Sequence, residues 1–342
     1  MKPIPFEQFM AKALHDPQHG YYARKIQTIG HGGDFTTAPM VSNTPALAIS
    51  TWTNRALRES RCRNLIEIGP GTGALAAAVM KSLPSLTRWK TRLHLVETSE
   101  PLTKIQRQQL GSRATWHHTI HDALTACDGH AVIYSNEWVD AFPVRRFEKT
   151  TTGWQEIAVH FEDPHVPRES LMPLGPLPES SGFRTSHPIG QRIEVHESFH
   201  RHLTDWLPLW KTGKMLTIDY GAEAEALYHR RPHGTLRAYL LQQRLEGLAI
   251  YQNIGRQDLT ADVNFTDLQN WSQPWVSQQR LMTLGDFLIS HSKSKSTAPH
   301  AAHDFLTDHH GAGDAFLVLE QHPSSSPPKK TNRESLKSHR LK

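Results

Sequence analysis

Residues 64 to 84 read NLIEIGPGTGALAAAVMKSLP: an apolar run with Glu67 near its end, three glycines in five positions, then an alanine-rich stretch of helical character. Gly69, Gly71 and Gly73 let backbone amides approach a ligand with no Cβ in the way, and in doubly wound folds ligands collect at the carboxyl ends of the strands. Glu97 lies 24 residues after Gly73, at the end of the next strand-like run, where a bidentate carboxylate can accept both hydroxyls of a ribose. With Ala74 the stretch also satisfies the looser G-x-G-x-x-A pattern of dinucleotide sites, so loop and carboxylate suit NAD and S-adenosylmethionine alike. Two details favour the second. Glu67 precedes the first glycine by two residues, where a carboxylate can face a sulfonium or an ammonium but sits poorly beside a pyrophosphate. Pro70 and Thr72 complete EIGPGTG, a common adenosylmethionine loop. A merely tight strand-to-helix turn would also use glycines, but carboxylates at the ends of both adjacent strands weigh against it.

Glu137 follows the strand-like AVIYSN and should emerge at the ligand-bearing edge of the sheet. Its neighbours Trp138, Val139, Ala141, Phe142 and Pro143 imply partial burial, and a carboxylate in apolar company needs a partner. Asp140 suits either the same site or the capping of a following turn. Asp122 suits either contact with an adenine amine or a helix cap before ALTAC. His300, His303, His309 and His310 fall close together, but Ser, Lys and Ala dominate that segment and a solvated loop without metal is expected. No nucleophile, base and orienting group share a recognisable local spacing.

The elements that must position these groups are strand-like segments at 64–68, 92–97, 131–136, 214–220 and 315–320, the first three separated by helical stretches. That alternation predicts a doubly wound α/β fold with a parallel sheet. Residues 145–162 alternate across a turn-like TTTG and predict an inserted hairpin, whereas 163–190, rich in Pro, Ser and Gly, read as loop. A second irregular insertion spans about 221–290, and 291–312 read as a polar surface loop.

The 342 residues fit one elaborated domain over 1–322, with an N-terminal cover over about 1–60, an inserted hairpin over about 144–200 and the second insertion. Cys62 and Cys127 have neither metal-ligand nor redox spacing, which excludes a disulfide scaffold and fits a reducing compartment. The N-terminus lacks a leader pattern and no long apolar run appears, so a soluble cytoplasmic protein with no membrane partner is expected. Residues 324–342 hold six Lys/Arg against Glu334 and carry the whole net charge of +5. The segment 323–342 is expected to be a disordered basic tail, and the formally neutral body gives nucleic-acid binding no support.

FEQFMAKALHDPQHGYY (6–22), GGDFTTAP (32–39), EIGPGTG (67–73), NEWVDAFPV (136–144), IDYG (218–221), GTLRAY (234–239) and DLTADVNF (258–265) occur in one fixed order. Together they resemble the MidA family of class I adenosylmethionine-dependent methyltransferases, whose mitochondrial members methylate an arginine during assembly of respiratory complex I. The resemblance covers roughly residues 4–320. It implies a seven-stranded methyltransferase sheet with an N-terminal extension and inserted segments on the substrate side. It also implies that Gly69, Gly71, Thr72 and Gly73 line the cofactor, that Glu97 meets its ribose, and that Asp34 and Thr37 fold near its methionine end. Asn136, Glu137 and Asp140 would face the methyl acceptor. The acceptor half departs from the family pattern: Thr44 and Pro45 replace a phenylalanine and a glycine, Gln242 a histidine, and Asp262 and Asn264 a histidine and an aspartate. The expected activity is methylation of a protein arginine. Rival readings are a small-molecule or nucleic-acid methyltransferase on the same fold, and a non-catalytic adenosylmethionine-binding assembly factor.

Overall fold

The computed structural model describes residues 2–24, 44–163, 166–172, 175–241, 243–291 and 313–324. Asp34 and Thr37, Gln242, the His-rich 292–312 and the basic segment from 325 lie outside the described residues.

Seven strands form the path of the central sheet: β1 (Asn64–Ile68), β2 (Arg92–Val96), β3 (Ala114–His117), β4 (Ala131–Asn136), β5 (Met215–Ala222), β6 (Val276–Thr283) and β7 (Phe316–Pro323), and the two-residue strand Val263–Asn264 pairs alongside β5 as an eighth. Their order is β6-β7-β5-β4-β1-β2-β3. From β5 to β3 the pairs are parallel, and β7 runs antiparallel to both β5 and β6. This is the expected doubly wound sheet. The central β4, AVIYSN, is buried along nearly its whole length, as a parallel strand covered on both faces must be.

Eight helices matter to the site: α1 (Phe6–His15), α2 (Thr44–Ser60), α3 (Ala74–Ser82), α4 (Glu100–Leu110), α5 (Ile120–Ala126), α6 (Glu197–Trp206), α7 (Phe265–Ser272) and α8 (Leu284–His291). Strand alternation divides the layers. Ile66, Ile68 and Ile133 pack with α5, α6 and α7 on one face. Leu65, Val132 and Tyr134 pack with α2, α3 and α8 on the other. The boundary of the N-terminal cover is therefore corrected: Ile49, Trp52 and Ala56 of α2 are buried in the central core, so α2 belongs to the sheet's own layer.

The expected hairpin is present, with strands Arg145–Thr150 and Gly153–Asp163 turning at the Thr150–Gly153 pair. The loop reading of 163–190 is corrected, because Val166–Met172 forms a strand antiparallel to Gly153–Asp163. Pro167 is tolerated there because the strand pairs on one side only. Arg192–Val195 and Ile4–Pro5 complete this five-stranded sheet. The second insertion is shorter than 221–290, since β6 and α8 inside that range belong to the central sheet. What remains holds a three-stranded sheet of Arg237–Leu240, Gln243–Leu245 and Asp258–Thr260. Helix α1 packs Phe6, Phe9, Met10 and Leu14 against Val159, Tyr251 and Leu259, tying the two small sheets together.

Candidate active site

The turn between β1 and α3 holds Gly69, Gly71 and Gly73 at φ +62°, +55° and +83°, a region that costs any residue with a Cβ. The space is closed as well as the dihedrals. A Cβ on Gly69 would meet the Trp138 ring at 3.0 Å, and one on Gly73 would meet Gln106 Cγ at 3.2 Å. Gly73 N–H donates to Pro70 O at 2.8 Å, which closes the turn immediately before α3. Gly69 is exposed and Gly71 and Thr72 are half-buried, so the turn opens outward at the carboxyl edge of the sheet.

Glu97 leaves the end of β2 beside this turn. Its Oε1 accepts from Ser99 N at 2.8 Å and its Oε2 from Gln106 Nε2 at 3.1 Å. Burial pushes its carboxyl up, and these bonds partly offset the shift. Gln106, fully buried on α4, also donates to Gly71 O at 2.7 Å and accepts from Trp116 Nε1 at 2.9 Å. One amide thus fixes the glycine turn to the carboxylate. Sequence reasoning missed it, although Leu102, Gln106 and Leu110 at i, i+4 and i+8 mark a polar residue on a buried helical stripe.

Glu67 is buried within β1, and Tyr134 of β4 donates to its Oε2 at 2.6 Å. Burial pushes its carboxyl up to about 8. The expected ligand-facing carboxylate therefore lies within the strand layer and keeps its proton at neutral pH. A cation brought near would favour releasing that proton.

On the neighbouring strand, Asn136 and Glu137 end β4. Glu137 sits at φ +51°, a left-handed backbone uncommon outside glycine. Its N–H donates to Ile218 O at 2.9 Å, and its Oε1 accepts from Asn136 Nδ2 at 2.9 Å. The turn that follows is organised by Asp219 of β5, which sequence reasoning did not single out beyond its IDYG motif. Its Oδ2 accepts from the N–H groups of Trp138, Val139 and Asp140 at 3.1, 2.8 and 3.4 Å. The carboxylate of Asp140 accepts from the N–H of Ala141 in the turn that follows. It is buried, and its Oδ2 accepts from Thr260 Oγ1 at 2.8 Å. Burial pushes both Asp140 and Asp219 up, with the charge of Asp262 adding to the shift of Asp140 and that of Asp140 adding to the shift of Asp219.

Burial raises Tyr22 and Tyr220, and the charge of Asp140 adds to both. Tyr22 stacks on His15 with centroids 5.4 Å apart and donates to Asp258 at 3.3 Å, and its carbonyl accepts from Ser99 Oγ at 3.3 Å. Tyr220 and Tyr239 flank Arg237, whose guanidinium pairs with Asp262. Asp262 also pairs with Arg231, while Asn264 caps α7 and donates to Ser181 Oγ at 3.0 Å. These two departures from the family pattern thus stabilise the fold around the site. Asp122 lies on exposed surface in the first turn of α5, where Thr119 is the cap: Thr119 Oγ1 accepts from Asp122 N–H and donates to Asp122 Oδ2. Among the described residues no group of three or more His, Cys, Asp or Glu could hold a metal ion.

A seven-stranded sheet with one reversed strand, a glycine turn after β1 and a carboxylate after β2 is the nucleoside-binding arrangement of class I methyltransferases. The residues fit adenosylmethionine: a glycine turn in which a Cβ on Gly69 or Gly73 would meet a side chain, and Glu97 after β2 and Glu137 after β4 as carboxylates for ribose hydroxyls and a sulfonium cation. A family model described as S-adenosyl-L-methionine-dependent methyltransferase matches residues 47–279, and the chain belongs to that family. It is 29% identical over 303 residues to the zebrafish (Danio rerio) protein arginine methyltransferase NDUFAF7, mitochondrial, covering 78% of this chain and 68% of that protein. The human protein of the same name is 26% identical over 309 residues, covering 80% and 67%. A crystal structure from Burkholderia thailandensis, bound to S-adenosyl-homocysteine, shares the fold with a TM-score of 0.79 at 24% identity, covering 95% of this chain and 89% of that one.

The cytoplasmic reading is overturned by these relatives, whose names place them in mitochondria.

Proposed function

We propose that the chain transfers the methyl group of S-adenosylmethionine to an arginine side chain of a protein. The observation that carries this reading is the carboxylate cluster Glu137, Asp140 and Asp219, on and behind a turn that packs against Gly69, with Tyr22 and Tyr220 near Asp140. Burial raises Asp140 and Asp219, so an arriving cation offsets their desolvation, and a guanidinium is a cation that stays protonated. The names of the relatives support the same acceptor.

When bound, the cofactor supplies an electrophilic methyl carbon on a sulfonium. Glu137 and Asp140 grip the guanidinium through charge-assisted hydrogen bonds and aim one nitrogen along the line of displacement. With the cofactor held there, a carboxylate of Glu137 or Asp140 would take the proton that the guanidinium nitrogen releases as it is methylated. Asp219 holds the Trp138–Asp140 turn still while this happens. The test is a single turnover with labelled cofactor in an extract from cells lacking the protein, the label being located by mass spectrometry. Label on protein arginine is expected; label on a nucleic acid or a metabolite would overturn the acceptor.

A further inference from the structure

Between Asp34 and Glu97 the chain carries only two acids, Glu59 and Glu67, against eight Lys and Arg. Glu59 is taken by Arg55 at 2.6 Å and Lys214 at 2.7 Å, which hold its carboxyl down to about 2, and Glu67 is buried. Arg58, Arg61, Arg63, Lys81, Arg88, Lys90 and Arg92 remain, all exposed and none in an ion pair among the described residues. They share one edge. Arg61 and Arg63 lead into β1, Arg92 N–H donates to Arg63 O at 2.8 Å at the start of β2, and Arg88 Nη1 donates to Lys81 O at 3.1 Å. Asp128, on the turn before β4, and Arg92 both lie near Cys127.

Amid these cations stands the short helix Ser85–Lys90, which buries none of its residues. Leu86 and Trp89, three positions apart and so on one side of it, are 65% and 80% exposed. We infer that this amino-end edge of the sheet docks on an anionic membrane surface, with the cations meeting lipid headgroups and Leu86 and Trp89 entering the interface. An indole and an aliphatic side chain framed by Lys and Arg match the headgroup boundary, where Trp sits by preference and each cation adds attraction. A nucleic acid would take the cations and stack on the indole but leave Leu86 in water. An acidic protein would pair the arginines one by one, a geometry that cations spread over separate segments do not preset. The candidate active site lies at the carboxyl ends of the same strands, about 16 Å away along five residues of β1, so docking leaves it open to water.

The test is sedimentation of the full chain with vesicles of phosphatidylcholine, with and without phosphatidylglycerol. Binding only to the anionic vesicles, weakening as salt is raised, is expected. Arg63→Gln, Lys90→Gln and Arg92→Gln together should weaken it on the order of a hundredfold. Leu86→Ser with Trp89→Ser should weaken it about tenfold. Melting temperatures of both variants should match wild type, since the side chains are exposed. Full binding by the triple variant would assign attraction to the basic residues of 324–342 and overturn the inference. So would equal binding to neutral vesicles, or no vesicle binding from a chain that instead holds RNA or an acidic protein through these residues.

Discussion

Glu137→Gln is expected to separate cofactor binding from chemistry. The substitution keeps the shape of a side chain whose Oε1 accepts from Asn136, but it places amide donors against a guanidinium that is itself all donor. Adenosylhomocysteine affinity should stay at the wild-type value while methyl transfer falls by about 3 to 4 kcal/mol, a few hundredfold. Undiminished turnover would remove Glu137 from the site. Gln106 makes the opposite prediction. Gln106→Leu fills similar volume and deletes the bonds to Gly71 O and Glu97, so cofactor affinity should fall by about 1.5 to 3 kcal/mol with little change in turnover at saturation. Because the loss passes through Glu97, discrimination against a 2′-deoxyribose analogue should shrink with it; calorimetry that finds both values unchanged would show Gln106 to be packing alone. The glycines and Glu97 were legible because their chemistry is written in local spacing. Gln106 and Asp219 were not, since their partners lie 35 and 80 or so residues away and only the fold brings them together.

Elements with continuous apolar sequence were read closely. The reading of 131–136 matches β4, and 64–68 matches β1. Edge strands were harder to read for a physical reason: ATWH of β3 is short and half-buried, so its bounds did not show, and VSQQRLMT of β6 exposes polar side chains along much of its length and escaped. Val166–Met172 was hidden by its prolines and by pairing on one side only. Contact between elements also yields a prediction. Gly69 follows β1 and abuts Trp138 of the β4 turn, so the cofactor turn and the acceptor turn are packed together. Gly69→Ala adds one methyl against the indole at a φ of +62°, which should cost about 1 kcal/mol or more and displace both turns. Cofactor affinity and methyl transfer should therefore fall together. A loss in affinity with transfer intact would show that the two turns move independently.

Burial of charge across the whole molecule sets how its stability responds to pH. Glu67 is pushed from 4.5 up to about 8 by burial, so the native protein holds a proton that the unfolded chain has released. Its contribution is full below about pH 4.5, drains as pH rises, and is gone above about pH 8. Asp140, Asp219, Glu194 and Asp267 are shifted the same way, each chiefly by burial. His94 and His196 act oppositely: burial pushes both from 6.5 down to about 4, so their contribution is present above pH 6.5 and lost as pH falls toward 4. The two sets compete between pH 4.5 and 6.5, and above that window the carboxyls act alone. Stability should accordingly decline from pH 6.5 to 8, by about 2 kcal/mol for one retained proton. Glu67→Gln leaves an amide oxygen to accept from Tyr134 and removes the titration, so the melting temperature of the variant should fall less over that range than that of wild type. Equal slopes would mean that Glu67 is already ionised in the free protein. A wild-type slope that flattens when adenosylmethionine is added would mean that the cationic cofactor has taken the place of the proton.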